Sequence, residues 1–125
     1  MTQDPSLQAT LEAFLGGLRA LDWERMRDTF APDAQVFFPF DDRPRRVEGL
    51  GAIEGAFRAF FAASSGKGPI DLKPLDVATQ IHGDTALVSF HLERPNGIGR
   101  RTLVLRREAG RWRIAHLHAS LTKIP

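Results

Sequence analysis

The sequence predicts an α+β fold in which three N-terminal helices pack on a curved antiparallel sheet. Apolar residues recur at helical spacing through the first half of the chain and alternate with polar residues through the second half. Short clusters of turn-forming residues separate the alternating segments, which is typical of consecutive hairpins. The 125 residues contain no repeat and no low-complexity linker, so we expect one domain over residues 1–125.

Three amphipathic segments predict the helices. The first helix is expected to begin at Pro5 with Asp4 as its N-cap, because proline is favoured at the first helical position. A shorter second helix should follow Asp22 and end at residues 31–33, since Pro32 disfavours helix in the residue before it. The third should run from Gly51 to the breaker segment 64–69. Their apolar stripes comprise Leu7, Leu11, Phe14, Leu15, Leu18 and Leu21 in the first, Trp23, Met26 and Phe30 in the second, and Ile53, Ala56, Phe57, Phe60 and Phe61 in the third.

The remaining segments read as strands. Residues 35–38 form a short β-prone run, and residues 45–48 are a candidate for a brief returning strand. Four longer strands are predicted near residues 70–81, 85–93, 100–107 and 112–121. Long strands in a strongly twisted sheet would wrap around the first helix and leave a conical cavity at one end.

Composition narrows the possible functions. The chain has no cysteine, which excludes disulfides, thiol catalysis and thiolate metal sites. The N-terminus lacks a signal-peptide pattern and no run approaches the roughly 20 apolar residues of a membrane span, so we expect a cytoplasmic protein that does not bind membranes. The formal net charge is only +2 and the arginines are dispersed, which disfavours a nucleic-acid partner. No phosphate-binding loop, nucleophile elbow or HExxH motif occurs, and we expect no cofactor.

Three segments carry a family resemblance. They are FAPDAQVFFPF at residues 30–40, VEGLGAIEGAF at 47–57 and RRTLVLRREAGRWRIAHLHAS at 100–120. Together with the order of predicted elements, they resemble the NTF2-like superfamily. More narrowly, they resemble its SnoaL-like branch, which includes the association domain of calcium/calmodulin-dependent kinase II. The resemblance implies a cystatin-like cone, a homodimer formed through the sheet, and a pocket that serves enzymes, ligand-binding proteins or assembly modules.

One activity of the superfamily can be tested on two residues. Ketosteroid isomerases of this fold place a general-base Asp directly before the proline that follows the first strand, and a Tyr oxyanion donor on helix one. The matching residues here are Phe38, before Pro39, and Phe14. A phenyl ring neither accepts nor donates a proton, so the resemblance does not extend to isomerase chemistry of the usual Asp/Tyr type.

The last predicted hairpin sorts its residues between the two sheet faces. If the turn closes from Arg106 or Glu108 to Arg111, regular alternation places Arg100 and Thr102 on one face with Leu117 and Ala119, whereas a loop of odd length would reverse this pairing. His116 and His118 then share the other face. The resemblance to the kinase association domain implies that the first set faces the cavity and that the histidines face a dimer interface. Arginines at the positions matching Thr102 and Ala119 can hold a carboxylate in that domain, and both are lost here.

Four polar residues are candidates for site chemistry. Arg100 could anchor an anion at the pocket mouth, because a guanidinium offers paired donors to a carboxylate, or it could be a solvated strand-end arginine. His91 could act as an acid or base, since histidine titrates near neutrality. His116 and His118 are candidates for proton transfer or, by their spacing, for joint metal binding, but no third ligand is evident, so no metal site is predicted.

Aromatic residues could line an apolar ligand site, although plain core packing is the preferred explanation for most of them. Phe14 and Phe38 are the expected exceptions, because the resemblance matches them to active-site groups. The predicted pocket comprises Phe14, Trp23, Phe38, Phe57, Arg100, Thr102, Leu117 and Ala119. We therefore expect a stand-alone domain that binds a small organic molecule, carboxylate-bearing or cyclic. If it is an enzyme, cofactor-independent isomerase, dehydratase or cyclase chemistry is the family expectation. The alternative is a non-catalytic oligomerisation or assembly module.

Overall fold

Three helices and six strands make up the part of the chain that the computed structural model describes, residues 4–65 and 71–123. In chain order they are α1 Pro5–Ala20, α2 Trp23–Arg27, β1 Phe30–Phe37, β2 Val47–Glu48, α3 Leu50–Ser64, β3 Leu75–His82, β4 Thr85–Arg94, β5 Gly97–Glu108 and β6 Arg111–Lys123. The predicted α+β fold is confirmed. None of the described helices is long and apolar enough to cross a membrane.

Local chemistry fixes both ends of α1. The Asp4 side chain accepts a hydrogen bond from the backbone N–H of Leu7 at 3.0 Å, as an N-cap should. At the other end Leu21 adopts the left-handed conformation, with a φ of 55°, and the Asp22 N–H bonds to the Gly17 carbonyl at 2.8 Å. The chain therefore reverses at once, and α2 packs back against α1.

The second helix is shorter than its apolar spacing predicts, and Phe30 belongs to β1 instead. The Ile114 N–H donates to the Thr29 carbonyl at 2.6 Å, and Phe30 lies opposite Ile114 in a parallel ladder. Pro32 has no N–H to offer, and the ladder is interrupted between Phe30 and Gln35, where Pro32 lies. Pairing with a distant strand thus overrides a local helical pattern.

The sheet has the strand order β2-β1-β6-β5-β4-β3. Strand β1 runs parallel to β6, while every other neighbouring pair is antiparallel. The predicted antiparallel sheet is therefore correct for the meander β3 to β6 but not for the β1–β6 pair. Residues 71–74, which were expected to belong to the first of the four longer strands, precede β3, and residue 70 lies outside the described residues, as do residues 66–69 of the predicted breaker segment.

The helices cover one face of the sheet, which we call the inner face, and the core lies between them. Its largest fully buried side chains include Trp112, Phe30, Leu7, Leu11 and Met26. The opposite, outer face has no covering element among the described residues. This arrangement leaves side chains of β4, β5 and β6 buried on one side and accessible on the other.

A β-bulge in β6 decides which residues of the last hairpin share a face. Leu105 pairs with Ile114, but the preceding residue Val104 pairs with His116, so Ala115 is an extra residue in β6. An extra residue reverses the alternation of side chains beyond it. The hairpin does close at Glu108 and Arg111, yet regular alternation fails past residue 115.

The bulge corrects one sequence expectation. Arg101 pairs with Ala119, and both lie on the inner face, whereas Arg100 pairs with Ser120 and Thr102 with His118 on the outer face. The predicted sharing of one face by Arg100 and Thr102 with Leu117 and Ala119 is therefore wrong. Because Ala115 is unpaired, Arg101 lies on the inner face and Arg100 does not.

Candidate functional site

A cavity of about 310 Å³ opens between α1, α3 and the inner face of the sheet. This volume is near the lower end of the roughly 300–1,000 Å³ usual for small-molecule sites. Most lining side chains are apolar, and the polar ones cluster at β4 and β5. The lining residues are Phe14, Leu18, Phe38, Pro39, Phe40, Phe57, Phe60, Leu72, Arg94, Asn96, Gly99, Arg101, Leu117, Ala119 and Leu121.

Phenyl rings from two elements form one side of the cavity. The Phe38 ring meets Phe57 of α3 edge-on, with centroids 5.1 Å apart, and stacks on Phe40 at 5.5 Å. Phe40 in turn lies 5.1 Å from Phe60. These contacts fix the chain as it leaves β1, because aromatic pairs in such geometries stabilise one another beyond their burial. The result is a rigid apolar surface facing the sheet.

Five of the eight predicted pocket residues line this cavity: Phe14, Phe38, Phe57, Leu117 and Ala119. Trp23 does not. It is only 2% exposed and stacks behind Phe57, with centroids 5.6 Å apart. Trp23 is therefore a core residue that supports the aromatic side of the cavity.

Arg100 and Thr102 do not reach the cavity. The Arg100 Nε donates to the Ser120 hydroxyl at 3.2 Å on the outer face, and Thr102 lies beside His118 on the same face. The prediction of Arg100 as the anion anchor is therefore wrong by one residue. The sequence does not reveal the bulge at Ala115, which decides the face on which Arg100 lies.

The sheet does place a cationic side chain inside the cavity, that of Arg101 on β5. Its Nη1 donates to two backbone carbonyls, those of Arg100 at 3.0 Å and Ser120 at 3.1 Å. Gly99 lines the same region without a side chain, and a Cβ added there would lie 3.3 Å from Nη1. The two carbonyls and the bare Gly99 backbone hold the guanidinium against the sheet.

The surroundings of Arg101 disfavour its charge. Burial, followed by repulsion from Arg94, lowers the pKa of Arg101 to about 10. The side chain still carries its proton at neutral pH. Among the described residues, no carboxylate lies within ion-pair distance of it. Arg101 is therefore a largely desolvated cation with only dipolar partners.

The cavity contains no ordinary acid–base catalyst among its described lining residues. Its polar side chains there are Arg94, Asn96 and Arg101, with no carboxyl, imidazole or hydroxyl group. Phe38 and Phe14 both face the cavity. These two residues match the Asp and Tyr positions of ketosteroid isomerases, and both lie where a ligand would contact them.

A family model described as the SnoaL-like domain matches residues 7–124. The chain belongs to the SnoaL-like domain family. The search of curated proteins found no match.

Solved structures with this SnoaL-like fold superpose over most of the chain. An NTF2-like protein of unknown function from Pseudomonas putida has a TM-score of 0.79 at 20% identity, covering 91% of this chain and 82% of that one. A proposed dehydratase of the NTF2-like family from Streptomyces avermitilis has a TM-score of 0.79 at 19% identity, covering 94% of each chain. A proposed calcium/calmodulin-dependent kinase II association domain from Thiobacillus denitrificans has a TM-score of 0.78 at 23% identity, covering 98% and 100%. At these identities the likeness establishes the α+β cone and no activity.

The three candidate histidines of this SnoaL-like domain lie across the sheet from the cavity. His91 is on the outer face opposite Arg100, with its Nδ1 3.7 Å from an Asp76 carboxylate oxygen. His116 and His118 flank the Phe37 ring, at centroid distances of 5.9 and 5.1 Å. Because the sheet separates them from the cavity, none can exchange a proton with a molecule bound there.

The His116 and His118 pair has no third metal ligand among the described residues. Burial lowers the pKa of His116, and the charges of His118 and Arg46 add to the effect. The pair and Phe37 form a compact aromatic cluster in the middle of the outer face.

Proposed function

We propose that this SnoaL-like domain binds a small, largely apolar organic molecule in the inner cavity and supplies no proton transfer to it. The observation that carries the proposal is the cavity itself, which is open, rimmed by packed phenyl rings and not filled by them. Preformed apolar cavities with a few convergent polar groups are the usual form of ligand sites. Burial of an apolar ligand there would release water from the aromatic surface.

The lining chemistry supports binding over catalysis. A cofactor-independent isomerase, dehydratase or cyclase needs a group that gives or takes a proton near neutral pH. The titratable lining residues described here are Arg94 and Arg101, and arginine keeps its proton under those conditions. The relative from Streptomyces avermitilis is proposed to be a dehydratase, but the described cavity of this chain offers no base for that reaction.

A neutral fluorescent probe tests the cavity directly. N-phenyl-1-naphthylamine fluoresces weakly in water and strongly in apolar sites, so the purified protein should enhance its emission saturably. Ala119→Trp should abolish the enhancement, because Ala119 is 6% exposed and lines the cavity, and an indole there would fill the space. Ala52→Trp is the matched control, because Ala52 is exposed on α3 and belongs neither to the cavity lining nor to the sheet.

The outcomes are distinct provided that both variants fold, which circular dichroism and thermal melting establish. Binding by wild type and Ala52→Trp but not by Ala119→Trp supports the cavity as the site. Leu117→Phe, which also adds bulk to the lining, serves if Ala119→Trp does not fold. Absence of saturable binding by the wild type, or equal binding by the cavity variants and Ala52→Trp, would overturn the proposal.

Assembly is a second candidate function, favoured by the middle of the outer face. Two adjacent rows of paired residues cross five strands there without an Asp, Glu, Lys or Arg. The rows, which we call the outer-face patch, comprise Phe37, His118, Thr102, Ser89 and Ala78, and Gln35, His116, Val104, Leu87 and Gln80. A largely uncharged patch of this kind suits contact with another protein surface. Binding and assembly use opposite faces and are compatible.

A further inference from the structure

We infer that the ligand of the cavity is an organic acid whose carboxylate binds the guanidinium of Arg101. This inference rests on the proposed binding function and specifies the chemical class of the ligand. The apolar part of the acid would lie against Phe38, Phe57 and Phe14, across the cavity from the strand that carries Arg101.

Among the described residues, Arg101 lacks a counter-charge. Charged side chains in protein interiors are normally paired, because removing an ion from water costs more than dipolar contacts return. Arg101 is held by two carbonyl oxygens and has no carboxylate within ion-pair distance among the described residues. Among the described residues, the charge that acts on the Arg101 pKa is that of Arg94, and it is repulsive. An anionic ligand would supply the absent partner.

One edge of the Arg101 guanidinium makes no hydrogen bond to another described residue. Both backbone bonds use Nη1, while Nε and Nη2 make no hydrogen bond to another described residue. The N–H groups of Nε and Nη2 point the same way and match the two oxygens of a carboxylate. The sheet carbonyls therefore orient the group and leave its bidentate edge for a ligand.

The polar side chains of the cavity lining also favour an anion. The described lining residues include two arginines and one asparagine on the β4–β5 side, and no acidic residue. Arg94 is exposed, so its contribution would be attraction of an anion toward the mouth and not a strong bond. A molecule with one acidic end and an apolar body matches this division, whereas a neutral or cationic molecule leaves Arg101 unpaired.

Adjacent arginines provide the test. The test measures how well small acids displace N-phenyl-1-naphthylamine from the wild type, Arg101→Met and Arg100→Met. The acids are phenylacetate and cyclohexanecarboxylate, and each is compared with its amide and its methyl ester. The wild type should bind each acid about 10- to 100-fold more tightly than its amide, the difference expected of a charge-assisted pair. Arg101→Met should lose that preference while still binding the neutral probe. Arg100→Met, altered one residue away on the outer face, should behave as the wild type.

Arg101→Lys refines the result, because lysine keeps the charge and loses the planar fork; its preference for acids should fall between those of the wild type and Arg101→Met. Equal binding of acids and amides by the wild type, failure of both acids to displace the probe, or equal losses in Arg100→Met and Arg101→Met would overturn the inference. Since the neutral probe reports the cavity without using Arg101, probe binding with no acid preference refutes this inference alone. Absence of probe binding refutes the proposed function itself.

Discussion

His116 should make the protein less stable in mild acid. Burial lowers its pKa in the folded state, whereas the unfolded chain keeps a value of about 6.5. The unfolded state therefore binds a proton more readily, and the free energy of unfolding falls as the pH drops through that value. The loss continues until the pH reaches the lower, folded pKa. Above neutrality the imidazole is neutral in both states and no penalty remains.

Urea unfolding at pH 7.5 and 5.5 measures this effect at fixed protein concentration. The wild type should lose stability between the two values, and His116→Gln should lose less, because the amide does not titrate. An NMR titration of the ring gives the folded pKa directly. A value above 6.5, or an equal loss in the variant, would contradict the assigned cause.

At the scale of residues, the sequence predicts apolar site residues better than charged ones. Phe14 and Phe38 were expected to contact ligand by family resemblance, and both line the cavity. Arg101 was not predicted to line the cavity. Until the register of β6 is known, the sequence does not show which of the two successive arginines faces the cavity. The bulge at Ala115 has no local sequence signature, because Ala115 differs little from any other small strand residue.

Replacing each of two helical glycines with alanine should change the stability of the protein in opposite directions. A Cβ on Gly17 of α1 would press on the Met26 side chain and lie 3.0 Å from the Asp22 carbonyl oxygen of the helix hairpin. In contrast, Gly55 of α3 is exposed, and a Cβ there would meet nothing within 4 Å. Gly17 thus permits close approach of α1 and α2, while Gly55 has no packing role.

Gly55→Ala should stabilise the protein by about 0.5–1 kcal/mol, because alanine favours the helix and restricts the unfolded chain. Gly17→Ala should destabilise it by about 1–3 kcal/mol, since overpacking outweighs the gain in helix propensity. Denaturant unfolding of the two single variants measures both changes. A stable Gly17→Ala protein would mean that Met26 can move aside at little cost.

At the scale of elements, helices and hairpins follow local patterns, whereas strand pairing across the chain does not. The start of α1 and the turn of the last hairpin were predictable from a cap and a turn signal. The parallel pairing of β1 with β6 joins residues about 80 positions apart, such as Phe30 and Ile114. Nothing in the local spacing around Phe30 reveals a partner so distant, so its assignment to a helix was wrong.

For the whole molecule, the sheet divides the two proposed functions between its faces. The inner face holds the cavity and the desolvated Arg101, while the outer-face patch is open and largely uncharged. We expect a second copy of the chain to cover this patch. An isologous contact places like residues near one another across a two-fold axis, and a patch without acidic or basic side chains avoids self-repulsion there. Arg100 and Arg106, which flank the patch on β5, would lie at the rim, where charges remain hydrated.

Val104→Arg should convert such a homodimer to monomer, because Val104 lies between His116 and Leu87 in the middle of the patch, and two buried cations would meet across the axis. Ala52→Arg, on the exposed side of α3, adds the same charge away from the sheet and should leave the mass unchanged. Light scattering coupled to size exclusion gives the mass of each protein. A monomeric wild type, or a dimer that survives Val104→Arg, would exclude the outer-face patch as the interface. If Val104→Arg is monomeric and still binds the probe, the cavity functions without a partner, as expected from the described lining residues, none of which is an outer-face side chain.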